Sequence, residues 1–213
     1  MLYFIHPVDK TTSFLSDIYS KVISVIGEEN VCVFDFNSAT CQENFDKIKS
    51  LPDDSLIVFL GHGRNDRLYG VEDESDEAFV EVNKMWVFDD KSLFALACHS
   101  SQLLQGSHHK TRIKHSIGFG DLPTSSEEIE NIRKLRNAGV TDDDIEEFKE
   151  VIVDSISLAL ISCFEGNINY EHLYYHLKLL LYKKTNFLVL ECNKRNLADL
   201  VYQMYSQMTY LRG

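Results

Sequence analysis

The sequence lacks any apolar run approaching the roughly 18 residues that a membrane-crossing helix requires, so no helical membrane span is expected. It is also short of positive charge. Against 33 Asp and Glu there are 21 Lys and Arg, a formal net charge of −12. A nucleic-acid surface needs clustered Lys and Arg to displace counterions, and this balance argues against one. An acidic surface favours basic partners, although acidity more commonly serves solubility. There is no CxxC pair. The five cysteines (Cys32, Cys41, Cys98, Cys163 and Cys192) are odd in number and scattered, which fits a reducing cytoplasm better than a disulfide framework. Cys32 and Cys192 lie in strand-like apolar runs and Cys163 ends an apolar helical stretch, so these three read as small buried hydrophobes. The opening residues Met1 to Pro7 carry no basic region and no cleavage site, and no export signal is expected. There is no GxSxG, Walker loop or GxGxxG, which removes the usual serine-hydrolase, NTPase and dinucleotide readings, and no cofactor is expected. Without repeats or long linkers, residues 1–213 read as one domain.

What is present is an alternation of short apolar runs and amphipathic segments. Leu2 to Ile5, Val31 to Phe36, Leu56 to Leu60, Leu93 to Ala97 and Ile113 to Phe119 read as strands. Asp9 to Ile26 has apolar residues at Phe14, Leu15, Ile18, Val22, Ile23 and Ile26, the period of a helix. Residues 41–50 and 101–106 are expected to be short helices. Strand, helix, strand with short connections predicts a parallel α/β sheet. The charge-free runs at 56–60 and 93–97 predict central strands covered on both faces. Leu68 to Val71 and Phe79 to Val82 are read as an edge hairpin around the acidic run Glu72 to Glu77, a solvated loop tip. From Thr124 the chain turns helical, with Ser125 or Ser126 as cap and Glu127 and Glu128 in the first turn. Thr141 is expected to cap a helix running to Phe164. Tyr170 to Lys184 follows as a helix, then a strand over Phe187 to Glu191 and a last helix over Leu197 to Leu211.

Two of these runs end alike. Leu56 to Leu60 is followed by Gly61-His62-Gly63, and Leu93 to Ala97 by Cys98-His99-Ser100-Ser101, with His62 and Cys98 separated by 36 positions. Working residues in parallel sheets gather at the carboxyl ends of strands, and both residues hold that place. A thiol attacks a carbonyl only as a thiolate or beside a base. A neutral imidazole at His62 can take the Cys98 proton and return it to the leaving amine. The backbone N–H groups of Gly63 and Cys98 are the candidates for binding the oxyanion. The joint pattern points to acyl transfer.

These residues resemble a known family. Phe59-Leu60-Gly61-His62-Gly63 followed by Ala95-Leu96-Ala97-Cys98-His99-Ser100 is similar to the caspase-like cysteine peptidases, and most to the CHAT-domain proteases. In that clan one strand ends in His-Gly and the next central strand ends in the nucleophilic Cys. The resemblance spans about Leu2 to Asp121. It implies a caspase-like three-layer α/β sandwich, a mostly parallel central sheet with helices on both faces, over a single domain of residues 1–213. It further implies a thiol protease, a cysteine endopeptidase that hydrolyses a partner protein's peptide bonds through a His62–Cys98 dyad. CHAT-type proteases often act in prokaryotic defence or cell death, which adds an activating or sensor protein to the expected partners. Asp121, in the segment Gly118-Phe119-Gly120-Asp121, becomes a candidate for reading a basic substrate side chain. The chain departs from CHAT-type and metacaspase patterns at Ser101, where both usually carry Gly. It departs from metacaspases again at Leu96, where they carry an acid.

The other reading is a catalytically silent interaction module on the same fold, favoured by Ser101. A zinc site built from Cys98 with His99, His108, His109 and His115 fits no common ligand spacing, and no metal is expected. His172 and His176 share a helix face without a third ligand.

Overall fold

The computed structural model describes residues 1–7, 10–35, 41–69, 78–132, 135 and 139–213. Its frame is a six-stranded sheet. In chain order the strands are β1 (Leu2–His6), β2 (Val31–Asp35) and β3 (Leu56–Leu60), then, after three short strands taken up below, β7 (Ser92–Leu96), β8 (His115–Gly118) and β9 (Thr209–Arg212). Their spatial order is β2-β1-β3-β7-β8-β9. The first five run parallel, and β9 pairs antiparallel to β8.

Period-two alternation divides each central strand between the two faces. Phe4, Val58, Leu60, Phe94, Leu96 and Ile117 enter one core with helices α1 (Ser16–Ile26), α5 (Asp142–Phe164), α6 (Tyr170–Leu190) and α7 (Arg195–Ser206). Ile5, Ile57, Phe59, Leu93 and Ala95 enter a second core. That core includes α2 (Cys41–Lys49), the turn-like helix Val82–Phe88 and α3 (Ser100–Ser107). The fold is therefore a mostly parallel α/β sandwich of three layers, and the two-sided covering explains why the central strands carry no polar alternation.

The expected hairpin forms, but not on the edge of this sheet. β4 (Gly63–Arg64), β5 (Arg67–Tyr69) and β6 (Ala78–Glu81) make a separate antiparallel sheet directly after β3. The acidic run Glu72 to Glu77 lies outside the described residues. The first helix is shorter than its periodicity suggests. A one-turn helix at Ser13–Leu15 precedes α1, which begins at Ser16. Between β8 and α5, α4 (Ser126–Asn131) is capped by Ser125, which accepts from the Glu128 N–H.

Two expectations near the C-terminus are overturned. Phe187 to Glu191 is no strand: α6 continues to Leu190, and Leu188 joins Leu173, Leu177 and Leu181 in its buried face. A short apolar run cannot by itself distinguish helix from strand, and here the helix already under way extends through it. Cys192, read as a small buried hydrophobe in a strand-like run, is instead exposed just past that helix. The last helix stops at Ser206, and Thr209–Arg212 pairs along the open edge of β8. An edge left bare there would present unpaired amides, so tertiary pairing overrides the local helical pattern. Among the described residues, no helix is long and apolar enough to cross a membrane.

Candidate active site

β3 and β7 are direct neighbours, with Phe59 opposite Ala95 and Leu60 opposite Leu96. The pairing runs one step further, since Gly61 N–H donates to the Leu96 carbonyl at 3.1 Å. Leu60 and Leu96 both point into the α1/α5 core. Two residues on, His62 and Cys98 come out above that same face. They line one cavity of about 30 Å³, walled by Phe14, Leu15, Leu122 and Ile152, with Thr12, Thr124 and Glu128 supplying its polar groups. A sheet ordered 2-1-3 reverses winding between β1 and β3, and ligand crevices open at such a point. The segment after β1 contributes Thr11, whose hydroxyl is hydrogen-bonded to His62 Nε2 at 3.1 Å.

Gly63 is needed for contact. A Cβ there would lie 2.6 Å from the Cys98 carbonyl oxygen and 2.9 Å from Ala97 Cβ. His62 carbonyl accepts the Tyr69 N–H at 3.0 Å, so ladder alternation leaves Gly63 opposite Leu68 in a position that exchanges no ladder bond. Its N–H is therefore not spent on β5.

The turn that carries Cys98 is held by β8. His99 N–H donates to the Gly120 carbonyl and Ser101 N–H to the Phe119 carbonyl, both at 2.9 Å. The buried Ser100 hydroxyl donates to Ala95 at 2.7 Å and accepts from Phe119 N–H at 2.8 Å. The left-handed residue is His99, with φ 56°, while Ser101 sits in the first turn of α3. The close approach falls on the opposite strand, where a Cβ at Gly118 would meet Ser101 N at 2.7 Å. A side chain at position 101 thus meets no backbone requirement for glycine, and the departure at Ser101 leaves the turn intact.

The thiol is engaged by a backbone carbonyl. Cys98 Sγ donates to the Leu122 carbonyl at 3.6 Å, a contact that needs the proton in place. Cys98 is half-buried as a residue. Desolvation pushes its thiol up to about 12, and the nearby carboxylates of Glu128 and Asp121 push the same way. The Cys98 N–H faces its own sulfur.

Asp121 is not among the residues lining the cavity. Its carboxylate lies 3.4 Å from His99 Nε2, and its N–H donates to Gln207. Among the described residues, the carboxylate that lines the cavity is Glu128, held by the Thr124 N–H at 2.7 Å and by the Thr124 and Ser125 hydroxyls. Sequence reading saw Glu128 only as a first-turn acid. Its signal was Ser125-x-x-Glu128, the capping-box spacing, which turns such a side chain back over the helix start. Thr11, Thr12 and Leu122 carried no signal, because their neighbourhood exists only once the strands are paired.

Among the described residues, no group of three or more His, Cys, Asp or Glu is arranged to hold a metal ion. Cys32, Cys98, Cys163 and Cys192 are free thiols, with Cys32 and Cys163 half-buried. Comparison with protein-family models and with curated proteins gives no match for this chain.

Proposed function

We propose that the chain is a caspase-like cysteine endopeptidase, most similar to the CHAT type, acting on a protein substrate in a reducing cytoplasm. The observation that carries this reading is that His62 and Cys98 end adjacent parallel strands at the same register level and line one cavity. In this reading His62 is the base, oriented by Thr11, and Cys98 the nucleophile. Sulfur bonds to the scissile carbonyl carbon as its proton passes to the imidazole. The Gly63 and Cys98 N–H groups bind the oxyanion. The imidazolium then protonates the leaving amine, and water hydrolyses the thioester to free the thiol and the new carboxyl end.

The cavity of about 30 Å³ is small and the thiol is engaged by the Leu122 carbonyl, so attack on a peptide requires Leu122 to release the thiol. That gating gives an activating or sensor protein a place to act, with defence or cell death as the setting the resemblance suggests. Slow basal cleavage of small, unfolded substrates is expected without it. The second reading, a silent interaction module, draws on the same buried thiol. A digest of denatured proteome separates the two. Wild type should yield new cleavage sites that are absent with Cys98→Ala and with His62→Ala. No cleavage by wild type, or unchanged cleavage by Cys98→Ala, ends the peptidase reading.

A further inference from the structure

Among the described residues, six of the eleven exposed large apolar side chains lie on α6, so the apolar surface there is a patch and not scatter. The patch has order. His172, Tyr175, Leu179, Tyr182, Asn186 and Val189 follow one another at spacings of 3, 4, 3, 4 and 3. This repeat is the seam by which one helix packs along another. The buried residues of α6, Leu173, Leu177, Leu181 and Leu188, occupy the opposite face. Tyr175, Leu179, Tyr182 and Val189 are between 40% and 57% exposed, so about half of each remains uncovered, although the Tyr205 ring edges Tyr182 and the Tyr174 ring edges Tyr175.

The seam is flanked by one sign of charge. Lys178 sits three residues after Tyr175 and four before Tyr182, on one side of the stripe. Lys183 sits four after Leu179 and three before Asn186, on the other. Neither ammonium has a carboxylate within ion-pair distance among the described residues: Lys178 rests on the Tyr174 ring and hydroxyl instead. Glu171, at the start of the helix, is engaged by Arg212. In a chain of net charge −12, the exposed apolar seam is thus bracketed by two lysines without a carboxylate partner.

We propose that the outer face of α6 docks a partner helix whose apolar seam is flanked by acidic residues. Charge chooses this occupant. Two copies of this chain would bring lysine against lysine along both flanks, which disfavours self-pairing. An anionic membrane would meet a strongly acidic body behind a narrow apolar stripe, which disfavours a lipid surface. Aromatic side chains, here Tyr175 and Tyr182, supply rigid contact area of the kind that dominates such interfaces. This inference is independent of the peptidase reading.

The test uses two synthetic helical peptides of about 20 residues, each with Leu at 3-4 spacing. One carries Glu and the other Lys at the flanking positions. Binding to the full chain is followed by fluorescence anisotropy. The acidic peptide should bind in the micromolar range, as helix-in-groove contacts do. Leu179→Ser with Tyr182→Ser, both surface changes, should weaken it at least tenfold without altering the far-ultraviolet circular dichroism. Lys178→Glu with Lys183→Glu should transfer the preference to the basic peptide. The proposal is overturned if neither peptide binds or if both bind equally. It is equally overturned if the chain self-associates through this face in sedimentation, or if anionic vesicles bind it while the acidic peptide does not.

Discussion

Cys98 is where the chemistry of single residues is most exposed to test. Burial pushes its thiol up to about 12 from an ordinary value near 9. Raising the folded-state pKa of an acid favours its protonated form. The resulting stabilisation is therefore full below about pH 9 and is lost as pH climbs from there toward 12. Cys98→Ala should lessen the alkaline loss in urea unfolding, the remainder coming from Tyr170 and Cys163, whose burial raises them too. Alkylation by iodoacetamide at pH 8 should be at least ~100-fold slower at Cys98 than at exposed Cys192, and should rise about tenfold per pH unit through pH 10. A rate plateau near neutrality would mean that His62 already holds a thiolate, contrary to the Leu122 contact.

Gly63 gives a second residue-scale expectation. Gly63→Ala drives a methyl into the Cys98 carbonyl. It should cost about 1–3 kcal/mol in urea unfolding and abolish cleavage. A variant as stable and active as wild type would mean that the close approach has no role. His62 and Cys98 were legible in the sequence because each closes a charge-free strand abruptly. Thr11 and Leu122 were not, since they come to the site from segments distant in sequence.

Elements announced by their own local chemistry were the legible ones. Helix α5 starts at Asp142 because the Thr141 side chain accepts from the Asp144 N–H while Asp144 reaches back to the Thr141 N–H. Both residues, and the acidic first turn that follows, are visible in the sequence. Thr141→Ala should therefore lower stability by about 1 kcal/mol in urea unfolding with cleavage unchanged; an undiminished midpoint would show the cap to be dispensable. The misread elements lacked such punctuation. Nothing in Phe187-Leu188-Val189-Leu190 breaks the helix before it, and no glycine or proline separates α7 from β9. Those boundaries are decided by what lies alongside: the buried face that Leu188 completes, and the β8 edge that Thr209–Arg212 covers.

For the whole molecule, alternation and short connections foretold a parallel sheet with two covered faces. They did not foretell that the β4–β6 sheet would leave the main plane directly after His62. That departure makes Gly63 the meeting point of the small sheet and the Cys98 turn. The same assembly sets a contrast between its two candidate surfaces. The cavity is narrow and the Cys98 thiol is engaged by the Leu122 carbonyl, whereas the α6 seam is half exposed. The buried face of α6 belongs to the same core as Phe94, Leu96 and Ile117.

The central claim is that Cys98 attacks with help from His62, and trapping the attack tests it most directly. A panel of short peptide acyloxymethyl ketones, incubated with the full chain at pH 7.5, is read by intact mass and peptide mapping. The predicted result is an adduct at Cys98 that requires the peptide part of the reagent, unlike the iodoacetamide labelling that favours Cys192, and that forms about 10²–10⁴-fold more slowly in His62→Ala. Adducts at Cys32, Cys163 or Cys192 instead, or equal rates with and without the His62 imidazole, would contradict it.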